Sequence, residues 1–151
     1  MLCKWQTEPM HYYELDPIRR PLLDKFYKDQ RSSMRSSGTG RCWVAKDRQI
    51  VAGLNLTPVE SGHWLTGLHV ARDSRGQGIA KHLIQTAHDT CAGPLWLFCE
   101  PALLGFYTRL DFTEATTLPA LLDQRLTRYR QTKALLALVL QPVSHRAVSA
   151  G

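Results

Sequence analysis

LTGLHVARDSRGQGIAKHL, Leu65 to Leu83, reads as a strand that turns through a glycine-rich run into a helix. Leu65, Leu68 and Val70 are the apolar positions of a half-buried strand. The polar turn Ala71-Arg72-Asp73-Ser74 breaks it, and Arg75-Gly76-Gln77-Gly78-Ile79-Ala80 follows. From there Ala80, Leu83, Ile84, Ala87 and Cys91 recur at helical spacing, which places the glycines at the strand-to-helix junction. The first-turn N–H groups of a helix have no intrahelical partner and carry the positive end of the helix dipole, so such a junction is a place for an anion. A glycine there lets a phosphate approach the backbone closely.

Three known patterns use glycines in this way. A P-loop needs Gly-x-x-x-x-Gly-Lys followed by Ser or Thr, whereas Lys81 lies between Ala80 and His82. A dinucleotide fingerprint needs a third small residue where Lys81 stands, in the first βα turn of a doubly wound sheet. The remaining pattern, Arg/Gln-x-x-Gly-x-Gly/Ala, is met by Arg75, Gly78 and Ala80. It resembles the acyl-CoA pyrophosphate loop of the GNAT superfamily of N-acyltransferases. Downstream, Gly105-Phe106-Tyr107-Thr108-Arg109-Leu110-Asp111-Phe112 resembles that family's Phe-Tyr-x-x-x-Gly-Phe segment, with Asp111 in the glycine's place. Taken alone, the glycines also suit a steric turn without a ligand.

The composition agrees with a globular chain. At 151 residues it makes one domain, able to bury ~70% of its unfolded surface. The expected domain is 1–143, with 144–151 a frayed tail. No apolar run approaches the ~18 residues of a membrane span, and Met1 to Trp5 lacks a signal peptide's apolar core; the expectation is a cytoplasmic protein without a membrane partner. Cys3, Cys42, Cys91 and Cys99 form no Cys-x-x-Cys pair and read as buried free thiols. His82 and His88 do not stand at i, i+4, so no metal site is expected. The net charge of +6 suits either a solvated basic surface or a polyanionic cofactor. The cations are spread along the chain with no recognition-helix cluster, which argues against nucleic acid.

Along the chain, residues 2–8 read as a first strand and Pro9 to Tyr13 as an irregular lead-in. Pro21 starts the first helix, with Leu22, Leu23, Phe26, Tyr27 and Gln30 on one stripe. Residues 31–40 are a Ser/Gly-rich basic loop expected to be mobile. Strands at 41–46, 50–57 and 63–70 are joined by short polar turns, as in an antiparallel meander. The helix over 77–90 leads to an apolar strand at 95–99, parallel to the strand ending in Val70 by the crossover rule. A short helix around Leu103 to Tyr107 ends near Asp111, a residue that tolerates the left-handed cap conformation. A strand beginning at 112–115, a helix from Leu118 to Tyr129 and an apolar strand at 134–140 complete the order.

That order resembles the GNAT fold: an α/β (α+β) single domain with a mixed, mostly antiparallel sheet, helices on both faces, and a splay between the fourth and fifth strands. The resemblance implies acetyl-CoA as cosubstrate, with the backbone at Leu68, His69 and Val70 pairing with its pantetheine arm. It also implies that Arg75, Gly76, Gln77, Gly78, Ile79, Ala80 and Lys81 cradle the diphosphate. Arg75 itself reads equally as a phosphate contact or a solvated turn residue. The implied reaction is direct attack of a primary amine, on a small molecule or peptide, on the acetyl thioester. Tyr107 stands at the family's general-acid position, its alternative being packing. Relatives often carry a Glu base on the fourth strand; here His69 is the first candidate, its alternative being a structural histidine. Glu100 stands where many relatives have Asn. Residues 25–41 hold Lys25, Lys28, Arg31, Arg35 and Arg41 against Asp29, with Asp24 at the edge, which disfavours a polyamine acceptor. A catalytically silent acyl-CoA-binding regulator acting through a protein partner is the alternative function, and a homodimer is left open.

Overall fold

The structure, a computed structural model, describes residues 9–142. The strand expected at 2–8, the tail at 144–151 and Cys3 lie outside the described residues. Among the described residues, seven strands form one sheet in the order β1-β2-β3-β4-β5-β7-β6. They are β1 (His11–Leu15), β2 (Arg41–Lys46), β3 (Ile50–Val59), β4 (Gly62–Val70), β5 (Leu95–Cys99), β6 (Thr113–Glu114) and β7 (Leu136–Leu140). The helices are α1 (Arg20–Asp29), α2 (Ile79–Thr90), α3 (Leu104–Thr108) and α4 (Ala120–Tyr129). The described residues divide into two compact units, 9–55 with Gly67–Ala87 and Leu56–Thr66 with 88–142.

In the first unit β1 pairs antiparallel with β2, Leu15 opposite Cys42 and Tyr13 opposite Val44. This corrects the lead-in read over Pro9 to Tyr13: aromatic residues suit a pleated surface, and the pairing that makes them a strand comes from a segment distant in sequence. Arg41 grips the Glu14 carboxylate with two hydrogen bonds, 2.6 and 2.9 Å, which holds Glu14 below its ordinary pKa. Asp16 and Pro17 begin a short 3-10 turn over Pro17–Arg19, with Asp16 accepting from the Ile18 N–H. Pro21 then sits in the first turn of α1, where its missing N–H is harmless. Leu23, Phe26 and Tyr27 bury against Leu15, Cys42 and Val44, while Leu22 stays exposed.

Residues 31–40 lack regular structure, as expected, yet are tied down along their length. Ser36 donates its N–H and hydroxyl to the two Asp24 carboxylate oxygens. The Ser37 N–H reaches the Asn55 side-chain carbonyl, and the Arg20 guanidinium holds the Gly38 and Gly40 carbonyls.

In the second unit β4 and β5 are parallel, registering His63 with Leu95 and Trp64 with Trp96. The registered pairs stand at the starts of both strands, which fits the splayed sheet expected from the sequence. β7 runs antiparallel to both β5 and β6. Trp96, Leu122 and Val139 form the buried centre there, with Trp64, Phe98 and Leu118 packed on it. α4 begins after Pro119 rather than at Leu118, since Pro119 takes the extended cap position. Cys42, Cys91 and Cys99 are buried free thiols, as expected.

Candidate active site

β4 delivers the chain to the glycine run. Its end is fixed within the first unit by the Ala71 N–H, which donates to the Val51 carbonyl at 2.7 Å. After the 3-10 turn Arg72–Ser74, Arg75 is extended, and its Nε donates back to the Val70 carbonyl at 2.9 Å. Arg75 thus braces the end of the strand, a role that neither sequence reading of it anticipated. Gly76 and Gly78 take φ of +79° and +77°, where a side chain is strained, and a Cβ on either would meet nothing within 4 Å. The space beside the backbone is therefore open on the face where a ligand would sit.

α2 starts at once. The His82 N–H makes the first rung of its ladder, to the Gly78 carbonyl at 3.1 Å, which leaves the N–H groups of Ile79, Ala80 and Lys81 outside the ladder. Ile79 and Ala80 are buried and anchor the turn, whereas Gln77 and Lys81 are exposed. Leu83, Ile84 and Ala87 bury as the helical spacing required. The turn thus combines N–H groups outside the ladder, the positive end of a helix and two glycines beside open space. His82 stacks on Tyr12 at 4.0 Å and His88 meets the Gly93 carbonyl at 3.0 Å, so the two helical histidines take separate partners.

On β4, His69 packs edge-on against Phe26 at 5.8 Å, and its buried Nε2 has no hydrogen-bond partner among the described residues. Burial lowers its pKa, and the Arg75 charge lowers it further, so the imidazole is neutral at neutral pH. Two residues earlier, Gly67 has φ +68° inside the strand, and its carbonyl accepts from the Tyr27 hydroxyl at 2.6 Å. Beside it Asn55 is fully buried. Sequence reasoning missed Tyr27 and Asn55; the available signal was a lone amide amid the apolar run of β3.

In the same unit an open cavity of about 690 Å³ is lined by Lys28, Arg31 and Arg35 together with Asp24 and loop serines. Both Asp24 oxygens are engaged by Ser36. Three cations line it against the single Asp24 carboxylate, so its field is positive.

The second unit holds Tyr107, on α3. The ring is buried, with Phe106 and Phe112 edge-on at 5.0 and 5.7 Å. Burial, reinforced by the neighbouring Cys99, pushes the phenol up to about 12, so it keeps its proton at neutral pH. The Tyr107 carbonyl accepts from Leu110 and Phe112, and Asp111 between them has φ +75°, the left-handed cap expected of it. Glu100 precedes the 3-10 turn Pro101–Leu103, where its carbonyl takes the Leu103 N–H and its exposed side chain makes no cap bond.

The family model described as an acetyltransferase (GNAT) domain matches residues 38–114, a segment that holds both the glycine run and Tyr107. The chain belongs to this family. Solved structures share its fold: a GNAT-family acetyltransferase of Staphylococcus aureus Mu50 has TM-score 0.63 at 15% identity, over 88% of this chain and 99% of its own. The GNAT N-acetyltransferase YhbS of Escherichia coli, in complex with CoA, has TM-score 0.61 at 19% identity, over 91% and 83%. Diaminobutyrate acetyltransferase EctA of Paenibacillus lautus, with L-2,4-diaminobutyric acid and coenzyme A, has TM-score 0.61 at 12% identity, over 89% and 96%. No curated protein matches the chain. Among the described residues no helix is long and apolar enough to cross a membrane.

Proposed function

We propose that this protein is an N-acetyltransferase that moves an acetyl group from acetyl-CoA to a primary amine by direct attack. The observation that carries the reading is the turn from Arg75 to Lys81, with left-handed Gly76 and Gly78 beside open space at the start of α2. In this reading the N–H groups of the turn hold the diphosphate, and the backbone at Leu68, His69 and Val70 pairs with the pantetheine arm like an added strand. Acetyl-CoA supplies the activated acyl group. The amine nitrogen bonds the acetyl carbon as the carbon–sulfur bond breaks, an amine proton leaves to a base, and the sulfur departs as the thiolate, which takes its proton from solvent after release.

His69 is the proposed base, since a neutral imidazole with an unspent buried nitrogen is ready to accept a proton. Tyr107 is the proposed donor to the departing sulfur. Full transfer from a phenol at about 12 to a thiolate of ordinary pKa ~8.5 is uphill, so its hydroxyl acts chiefly by hydrogen bonding to the charge as it develops. Because the pKa of His69 lies below the ordinary imidazole value, protonation of the ring should add an acid limb below that value to the kcat/KM profile, beyond the slope set by ionisation of the acceptor amine. His69→Ala should erase that acid limb, and an unchanged pH profile would return His69 to a packing role.

The cation-lined cavity favours an acceptor with one amine and a neutral or carboxylate-bearing remainder, and opposes a polyamine. The test is thiol release from acetyl-CoA over a panel of amines at low salt, including an amino acid derivative and spermidine. Faster release with the carboxylate-bearing amine is expected; a clear preference for spermidine overturns the acceptor assignment, and no amine-dependent release overturns the function.

A further inference from the structure

A glycine at φ +68° in the middle of β4 re-aims every residue after it, and something must hold it there. Tyr27 and Asn55 surround it. The Tyr27 hydroxyl donates to the Gly67 carbonyl at 2.6 Å and accepts from the Asn55 amide at 3.4 Å. A Cβ on Gly67 would lie 2.6 Å from the Asn55 amide nitrogen and 2.8 Å from the Tyr27 hydroxyl, so both side chains close against the bare α-carbon.

Neither is free to move. Tyr27 and Asn55 are fully buried. The second amide hydrogen of Asn55 goes to the Arg35 carbonyl at 3.2 Å, and its oxygen accepts from the Ser37 N–H at 3.0 Å and the Cys42 thiol at 3.1 Å. Every donor and acceptor of the amide is spent, which fixes its orientation. Burial holds the Tyr27 phenol well above its ordinary pKa, so it remains a donor at any working pH.

We infer that Tyr27 and Asn55 are positioning residues, which clamp the Gly67 kink and so aim the Leu68 to Val70 backbone at the pantetheine arm. The inference rests on the cofactor reading above. The same Asn55 anchors Arg35 and Ser37, so the loop that lines the cationic cavity and the strand proposed for the cofactor share one support.

Tyr27→Phe removes the donor and keeps the ring. The test titrates the parent and this variant calorimetrically with coenzyme A and with 3′-phosphoadenosine 5′-diphosphate, which carries the diphosphate but no arm. Thermal melting checks that the variant is folded. Coenzyme A should bind about tenfold more weakly to Tyr27→Phe, the scale of one lost hydrogen bond, with the nucleotide unchanged. Gly67→Ala, if it folds, should show the same split more strongly. Equal weakening of both ligands, or of neither, overturns the clamp while leaving the cofactor reading intact. A parent that binds neither ligand overturns the cofactor reading and the clamp together.

Discussion

Tyr107→Phe is expected to lower turnover about 10²-fold while coenzyme A binds nearly as before. The substitution deletes one oxygen from a ring held edge-on by Phe106 and Phe112, so the packing survives and no cavity opens. What would be lost is a hydrogen-bond donor that burial keeps protonated at neutral pH. A donor aimed at developing charge in a water-poor setting strengthens as the charge appears, so its removal should fall on kcat rather than on ground-state affinity. Steady-state kinetics with a saturating amine, beside a calorimetric titration of coenzyme A, separate the two. Unchanged turnover would leave Tyr107 as a packing residue of α3.

Gly78→Val should abolish or weaken coenzyme A binding by at least about 10²-fold, the scale of an ångström-sized misplacement at a binding loop. Two effects add. At φ +77° a β-branched residue is an outlier, so the turn would relax away from the geometry that aims its N–H groups. The new side chain would also occupy the open space beside the backbone, where a Cβ meets no protein atom within 4 Å. Because nothing inside the protein is struck, the variant should fold. Gly78→Ala separates the effects, keeping most of the strain with little of the bulk. If folded Gly78→Val binds coenzyme A as tightly as the parent, the cofactor does not use this turn.

The parts of this architecture legible in the sequence are those set by local spacing. The stripe Ala80, Leu83, Ile84, Ala87 and Cys91 defines α2 by its period alone, and all five residues are buried. The left-handed cap at Asp111 was legible too, because few residues other than glycine accept it. β1 was not, since Tyr12 and Tyr13 become a strand only through pairing with Ala45 and Val44. The brace from Arg75 to Val70 joins residues close in sequence, yet it depends on a side-chain direction that spacing does not reveal. The Tyr27 to Gly67 contact joins an α1 residue to a strand forty positions on, so no local pattern could announce it. The glycine run marked the strand-to-helix turn; the support beneath it is tertiary.

The central claim is that the Arg75 to Lys81 turn holds acetyl-CoA for transfer to an amine. Its most direct test supplies acetyl-CoA labelled in the acetyl group to the full-length protein with a carboxylate-bearing amine, and counts label in amide against free thiol. The account predicts one amide formed per thiol released by the parent and neither product from Gly78→Val. Amide formation by Gly78→Val at the parent rate, or a parent that binds coenzyme A yet labels no amine across the panel, would contradict it.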